Sequence, residues 1–243
     1  MISIERKACP NKLAGGSSAK DRYTHKQVVA RLHSMQHKKC CYCEITISDE
    51  GHGKAVDHFA PKAVFKGRRN DWDNLLLACA QCNGKKSDIF PVEILNSEAG
   101  EAAVIFLTRP KPGSALLLDP SNLSVDPEAH LEFVQDDTDM RDFGLIRRRN
   151  GSRRGEYTIT VIGLDRPYYT GRHRTLLIEL HKDYMILLQA KHGGHDDEVA
   201  RYEAIFRMRV SAKGEMAAVA RAFAHKKKLD RNFNIPIPKG MAS

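Results

Sequence analysis

Two cysteine pairs share one spacing. Cys40 and Cys43 lie in KKCCYCE, and Cys79 and Cys82 lie in ACAQCN. Zinc takes four soft or borderline ligands in a tetrahedron, and two C-x-x-C turns supply four thiolates that pin two separate stretches of chain together. Cys41 competes for the first position. It leaves a single residue before Cys43, tighter than the usual ligand spacing, so Cys40 is favoured. Four thiolates fill the shell, which makes the expected zinc structural. The bland alternative is a set of buried free thiols. Chemistry is then sought between the pairs, where VDHFAPK carries Asp57 and His58.

Taken together, CCYCE, VDHFAPK, WDNLLLACAQCN and NGKKSD resemble an HNH nuclease motif with a four-cysteine zinc clamp. That resemblance implies a ββα-metal unit whose three slots fall on Asp57 and His58, on Asn74, and on Asn83. The third slot departs from the commoner histidine, which favours a single hard metal ion.

Phosphodiester hydrolysis needs a deprotonated water, neutralised charge at phosphorus and a stabilised leaving oxygen. His58 titrates near neutrality and is the expected general base. Asp57 and Asn83 offer oxygen ligands suited to Mg²⁺ or Mn²⁺. Adjacent strand residues point to opposite faces, so Asp57 and His58 meet one phosphate only if the strand bends there. Asn74 is expected to hold backbone near His58. Lys62, Lys66, Arg68, Arg69, Lys85 and Lys86 are candidate phosphate contacts, with a solvated charged face as the ordinary alternative.

The elements that must position these groups are short. Thr24 is the expected N-cap of a helix with an apolar face of Val28, Val29, Leu32 and Met35. Residues 45–48 and 55–59 look strand-like, with SDEGHGK as the turn between them. WDNLLLAC reads as strand, and AQCNGKKSDIFP as one or two helical turns stopped before Pro91. The expected class is α+β: an N-terminal nuclease domain over residues 1–100, then an accessory region over 101–243 of strands followed by helices. SALLLDP, HLEFVQ, FGLIRRR and EYTITVIGLDR read as strands, and 172–190, 196–212 and 214–228 as helices. Residues 11–20 read as a flexible lead-in.

Composition is that of an ordinary globular chain, 42% hydrophobic and 28% charged over 243 residues. No apolar run approaches the roughly 20 residues of a membrane span, and no signal-peptide core is present, so the cytoplasm is expected. The charge of +9 favours a polyanion such as DNA, with RNA also open. Both halves carry a basic excess, 16 against 11 before residue 100 and 23 against 19 after it. The excess therefore belongs to folded surface and not to a tail.

Farther on, LLLDPSNLSVDPEAHLEF and TITVIGLDRPYYTGRHR are similar to the C-terminal part of a group of bacterial HNH proteins that includes Septu-type anti-phage nucleases and retron-associated relatives. This resemblance implies a cutting subunit working beside an ATPase partner. The chain has no G-x-x-x-x-G-K-[ST] loop, so nucleotide sensing would come from another chain. RRRNGSRRG places arginines around an expected hairpin tip. The competing function is a non-catalytic, zinc-stabilised DNA-binding or protein-docking module.

Overall fold

The computed structural model describes residues 1, 4–13, 21–47, 53–95, 102–107, 113–136, 141–233 and 235–237. Residues 14–20 of the expected lead-in, residues 48–52 of the expected turn and the expected boundary at 100 lie outside them.

Helix α1 (Lys26–Met35) buries Val28, Leu32 and Met35, the expected face. Its cap is His25 and not Thr24, because the His25 ring accepts from the Gln27 amide. The chain then turns sharply through His37 and Lys38, both with positive φ, into the first cysteine pair. Residues 45–47 form no strand. Their ladder stops at one bridge, Lys39 to Thr46.

Strand β1 (Lys54–His58) pairs antiparallel with β2 (Leu75–Cys79), from Lys54 opposite Cys79 to His58 opposite Leu75. All of β2 is buried, as its continuous apolar run requires. The Cys79 side chain caps α2 (Ala80–Lys86) directly, so strand passes to helix with no intervening loop. This gives the ββα unit, and α1 packs against β2 beside it.

Strand β3 (Pro91–Leu95) pairs with β4 (Ala102–Phe106) on one side and β5 (Ser114–Ala115) on the other. The β3 and β4 strands, on either side of position 100, pair with each other from Pro91 opposite Phe106 to Leu95 opposite Ala102. One continuous buried core also runs from the N-terminal residues to Ile235. A second hairpin joins β6 (Leu131–Phe133) to β7 (Ile146–Arg148).

The expected strand EYTITVIGLDR is a helix, α3 (Arg153–Ile162). Ser152 caps it by accepting from the Gly155 amide, and Gly163 ends it at φ +67°. Its apparent alternation hides a helical face of Gly155, Thr158, Ile159 and Ile162. Gly155 is needed there, since a Cβ would stand 2.2 Å from the His130 carbonyl oxygen. The arginine-rich segment is accordingly the β7–α3 junction, turned by Asn150 and Gly151 at positive φ, and not a hairpin tip.

The expected C-terminal helices are α4 (Pro167–Gly193), α5 (Asp196–Val210) and α6 (Ala217–Lys226), followed by the short α7 (Leu229–Asn232). Helix α4 starts earlier than its apolar stripe suggests, because Pro167 occupies its first turn, where a missing N–H costs nothing. Leu176, Leu177, Leu180 and Leu187 of α4 form the buried stripe, and Phe206 of α5 stacks on Phe223 of α6. No helix among the described residues is long and apolar enough to cross a membrane.

Candidate active site and zinc centre

Cys40, Cys43, Cys79 and Cys82 converge with their sulfurs within 4.8 Å of one another, all buried. Tetrahedral Zn–S bonds of about 2.3 Å put sulfurs about 3.8 Å apart, and Cys43 Sγ to Cys79 Sγ is 3.9 Å. The local backbone is built for this. The Glu44 amide donates to the Cys40 carbonyl, Glu44 takes φ +60°, and the Cys82 amide donates to Cys79 Sγ. Burial alone would raise the Cys40 pKa. Hydrogen bonds from Cys41, Cys43, Cys79 and Cys82 outweigh it and drive that pKa well below the thiol value. The donor set fits zinc, with Cys40 and not Cys41 in the first position.

The start of α4 closes over this cluster. The Tyr169 hydroxyl lies 3.2 Å from Cys82 Sγ and 3.5 Å from Cys79 Sγ. Arg166 Nη1 donates to the Gln81 carbonyl, Arg166 Nη2 to Cys82 Sγ, and its guanidinium covers the Tyr169 ring. Sequence spacing gave no sign of these contacts, because 87 residues separate Tyr169 from Cys82.

His58 ends β1 at the mouth of the loop from Phe59 to Asn74. Its Nε2 is 2.8 Å from the Arg69 carbonyl. A carbonyl only accepts, so Nε2 carries the proton and Nδ1 keeps its lone pair. Burial lowers the His58 pKa, with Lys62 and Lys86 pushing the same way; the Arg69 bond and Asp57 oppose it. The ring is therefore kept neutral at physiological pH. Tyr23 holds its flank edge-on, ring centroids 4.6 Å apart. Lys62 in turn bonds the Tyr23 hydroxyl and lies over its ring.

Asn74 is fully buried and ties the loop shut. Its Oδ1 accepts from the Ala60 amide at 2.8 Å, and its Nδ2 donates to the carbonyls of Ala60 and Arg68 at 2.9 and 3.1 Å. Asp21 pairs with Arg69, and Asn70 Oδ1 accepts from the Tyr23 amide, so the approach to α1 clamps the same loop.

Asp57 takes the other face of the strand. Pairing continues through His58 to a bond from the Phe59 amide to the Asn74 carbonyl, so no bend brings the two side chains together. The Asp57 carboxylate accepts from the Tyr42 hydroxyl at 2.6 Å and from Lys86 Nζ at 3.1 Å, and Lys86 also donates to the His58 carbonyl at 2.7 Å. All three side chains are buried. Lys86 is thus removed from the surface expected to meet phosphate. Asn83 stands half-buried one turn earlier on α2. As arranged, Asp57 and Asn83 do not fit a divalent ion, because the Lys86 ion pair already occupies the carboxylate and a metal cation beside it would be repelled.

Lys66 and Lys85 are exposed and Lys62 is half-buried, while Arg68 is paired with Asp71 and Arg69 with Asp21. The later arginines are largely engaged: Arg147 with Asp142, Arg148 with Glu156 and Arg153 with Glu93.

Residues 40–88 match the family model described as HNH endonuclease. The chain is 31% identical over 165 residues to the Septu protein PtuB of Bacillus mycoides (strain KBAB4), covering 60% of this chain and 49% of that protein. It is 34% identical over 86 residues to the Septu protein PtuB of Bacillus thuringiensis, covering 35% of this chain and 32% of that one. The chain thus matches about half the length, or less, of these relatives. The ββα unit and its four-cysteine clamp lie within residues 40–88, so the segment that matches the HNH endonuclease family is also the one that carries the buried cysteine cluster, in a chain whose similarity to Septu proteins extends well beyond it.

Proposed function

We propose that this protein hydrolyses DNA phosphodiester bonds with His58 as general base, in the cytoplasm, as the cutting subunit of an anti-phage system that works with an ATPase partner. The observation that carries the reading is the Nε2 bond of His58 to the Arg69 carbonyl. It fixes the tautomer and turns Nδ1 into the proton acceptor for an attacking water. Asn74 and Tyr23 hold the ring. Lys62 and Lys66, with Arg68 and Arg69 beside them, supply positive charge for the scissile and neighbouring phosphates. The four cysteines hold structural zinc and take no part in the chemistry. The ATPase partner and the role in defence rest on the likeness to Septu proteins.

One observation favours the second reading, a zinc-stabilised binding module. Asp57 is consumed by Tyr42 and Lys86. Plasmid cleavage separates the two. Wild type and His58→Ala are incubated with supercoiled DNA in Mg²⁺, Mn²⁺ or EDTA, with zinc content measured on the same preparations. Nuclease function predicts cutting by wild type and at least a hundredfold loss in the variant, consistent with removal of a general base, at unchanged zinc. The Mg²⁺ or Mn²⁺ requirement implied by the HNH resemblance is read from the EDTA arm. DNA binding with no cutting in any arm, candidate ATPase included, establishes the binding module instead.

A further inference from the structure

A polar cavity of about 550 Å³ lies between the β6–β7 hairpin and α6, away from the nuclease unit. Its polar lining includes Glu132, Gln135, Asp136, Arg149, His225 and Lys226. Among the described residues, four buried side-chain polar atoms have neither a hydrogen-bond nor an ion-pair partner. Three of them, Gln135 Oε1, Arg149 Nε and His225 Nε2, belong to residues of this one cavity. Buried polar groups are ordinarily satisfied, and a cluster of unsatisfied ones is a place where a water, an ion or a ligand group belongs.

An apolar cavity of about 340 Å³ adjoins it, formed by Phe143, Leu177, Ile178 and Phe223. The two share Gln135 and Lys226, and Lys226 Nζ donates to the Gln135 carbonyl. Lys182, Lys226, Lys227 and Arg149 are basic side chains across the pair of cavities, beside the imidazoles of His181 and His225 and the carboxylates of Glu132 and Asp136. Ile178 is 43% exposed although it lines the apolar half. An occupant that matches both halves carries a negative group for the cationic end and a flat apolar group for the other. The volumes are those of small-molecule sites.

We propose that these two cavities form one binding site for a nucleoside phosphate, either a free nucleotide or the 5′ end of a single strand. The base lies among Phe143, Leu177, Ile178 and Phe223, and the phosphate meets Arg149, His225 and Lys226. The site is independent of the nuclease reading, because none of its residues lies within residues 40–88.

Calorimetric titration of the full zinc-loaded chain tests this with AMP, ATP and a short 5′-phosphorylated thymidine oligonucleotide. Adenosine and tripolyphosphate serve as half-ligands. Ile178→Asp and Lys226→Glu alter exposed positions and are expected to keep helicity and zinc content. The expected result is saturable binding of a nucleotide or the oligonucleotide, with each substitution weakening it at least tenfold, about 1.4 kcal/mol. Neither half-ligand should bind comparably. Preference for AMP or ATP over the oligonucleotide identifies a free nucleotide as the ligand, and the reverse identifies a strand end. No saturable binding at millimolar ligand, or binding untouched by both substitutions, overturns the proposal.

Discussion

His58 and Arg69 are joined by a ring-to-backbone bond of 2.8 Å that leaves only Nδ1 of the imidazole able to take a proton. The bond is made across the loop and not along the strand, so the protonation state of the candidate base depends on the loop being closed. Burial holds the His58 pKa below the usual imidazole value of 6.5. The neutral, active form therefore persists below that value and is lost as pH falls through the lowered pKa. The acid limb of kcat/KM for cleavage should have its midpoint below 6.5. A midpoint at or above 6.5 removes His58 from this role.

Asn74 makes three hydrogen bonds from a site with no solvent. Asn74→Ala strands the Ala60 amide and two carbonyls, at a cost of about 3 kcal/mol. Urea unfolding should register this, and cleavage should fall with it while zinc content is unchanged. A fully active, equally stable variant would show that the loop does not need this tie.

The Asp57–Lys86 pair is buried on both sides. Removing one partner leaves an uncompensated charge, and Lys86→Met alone is expected to lose about 3–5 kcal/mol. The double variant Asp57→Asn with Lys86→Met should recover much of that. In Lys86→Met the freed carboxylate becomes available to a divalent ion, so Mg²⁺ or Mn²⁺ should raise the melting temperature of this variant more than that of wild type. Equal metal responses would place any divalent ion elsewhere.

Tyr169 is the link between the zinc cluster and α4. Tyr169→Phe removes the hydroxyl that faces two sulfurs and should weaken zinc binding by about 10-fold or more, as loss of an outer-shell partner does. Competition with a chromogenic chelator measures this. Stripping the metal should also loosen the start of α4, seen as faster amide exchange over residues 166–176.

His173 is buried, and burial lowers its pKa from 6.5 to about 4. Protonation then favours the unfolded chain. The stability contributed by keeping His173 neutral is full above pH 6.5 and falls as pH drops toward 4, by about 3 kcal/mol in all. His173→Gln keeps a donor for the Gly144 carbonyl, which His173 Nδ1 faces at 3.2 Å, and does not titrate. Stability of this variant should fall less between pH 7 and pH 4.5 than that of wild type. Parallel curves would assign the acid sensitivity to other groups.

The sequence by itself determined what depends on spacing along the chain. The two C-x-x-C turns pointed to a zinc site with Cys40 favoured over Cys41, and WDNLLLAC followed by AQCNGKKSD read as a strand passing into a short helix. The apolar face of α1 and the presence of three helices in the last third were equally legible, because helical period is a local property, whereas the side of α5 that is buried, Phe206 and Val210 with Met208 left exposed, was not. Tertiary structure decided which face each polar group took and what it met there. Asp57 and Lys86 read as ligand and phosphate contact, yet antiparallel pairing carried through His58 turned Asp57 inward, and one turn of α2 brought Lys86 to it. The helix α3 looked like a strand until Ser152 and Gly163 capped it and Gly155 let it press against the His130 backbone. Arg166 and Tyr169 reached the zinc cluster only because α3 and α4 fold back onto α2, a contact between distant residues that no local pattern encodes.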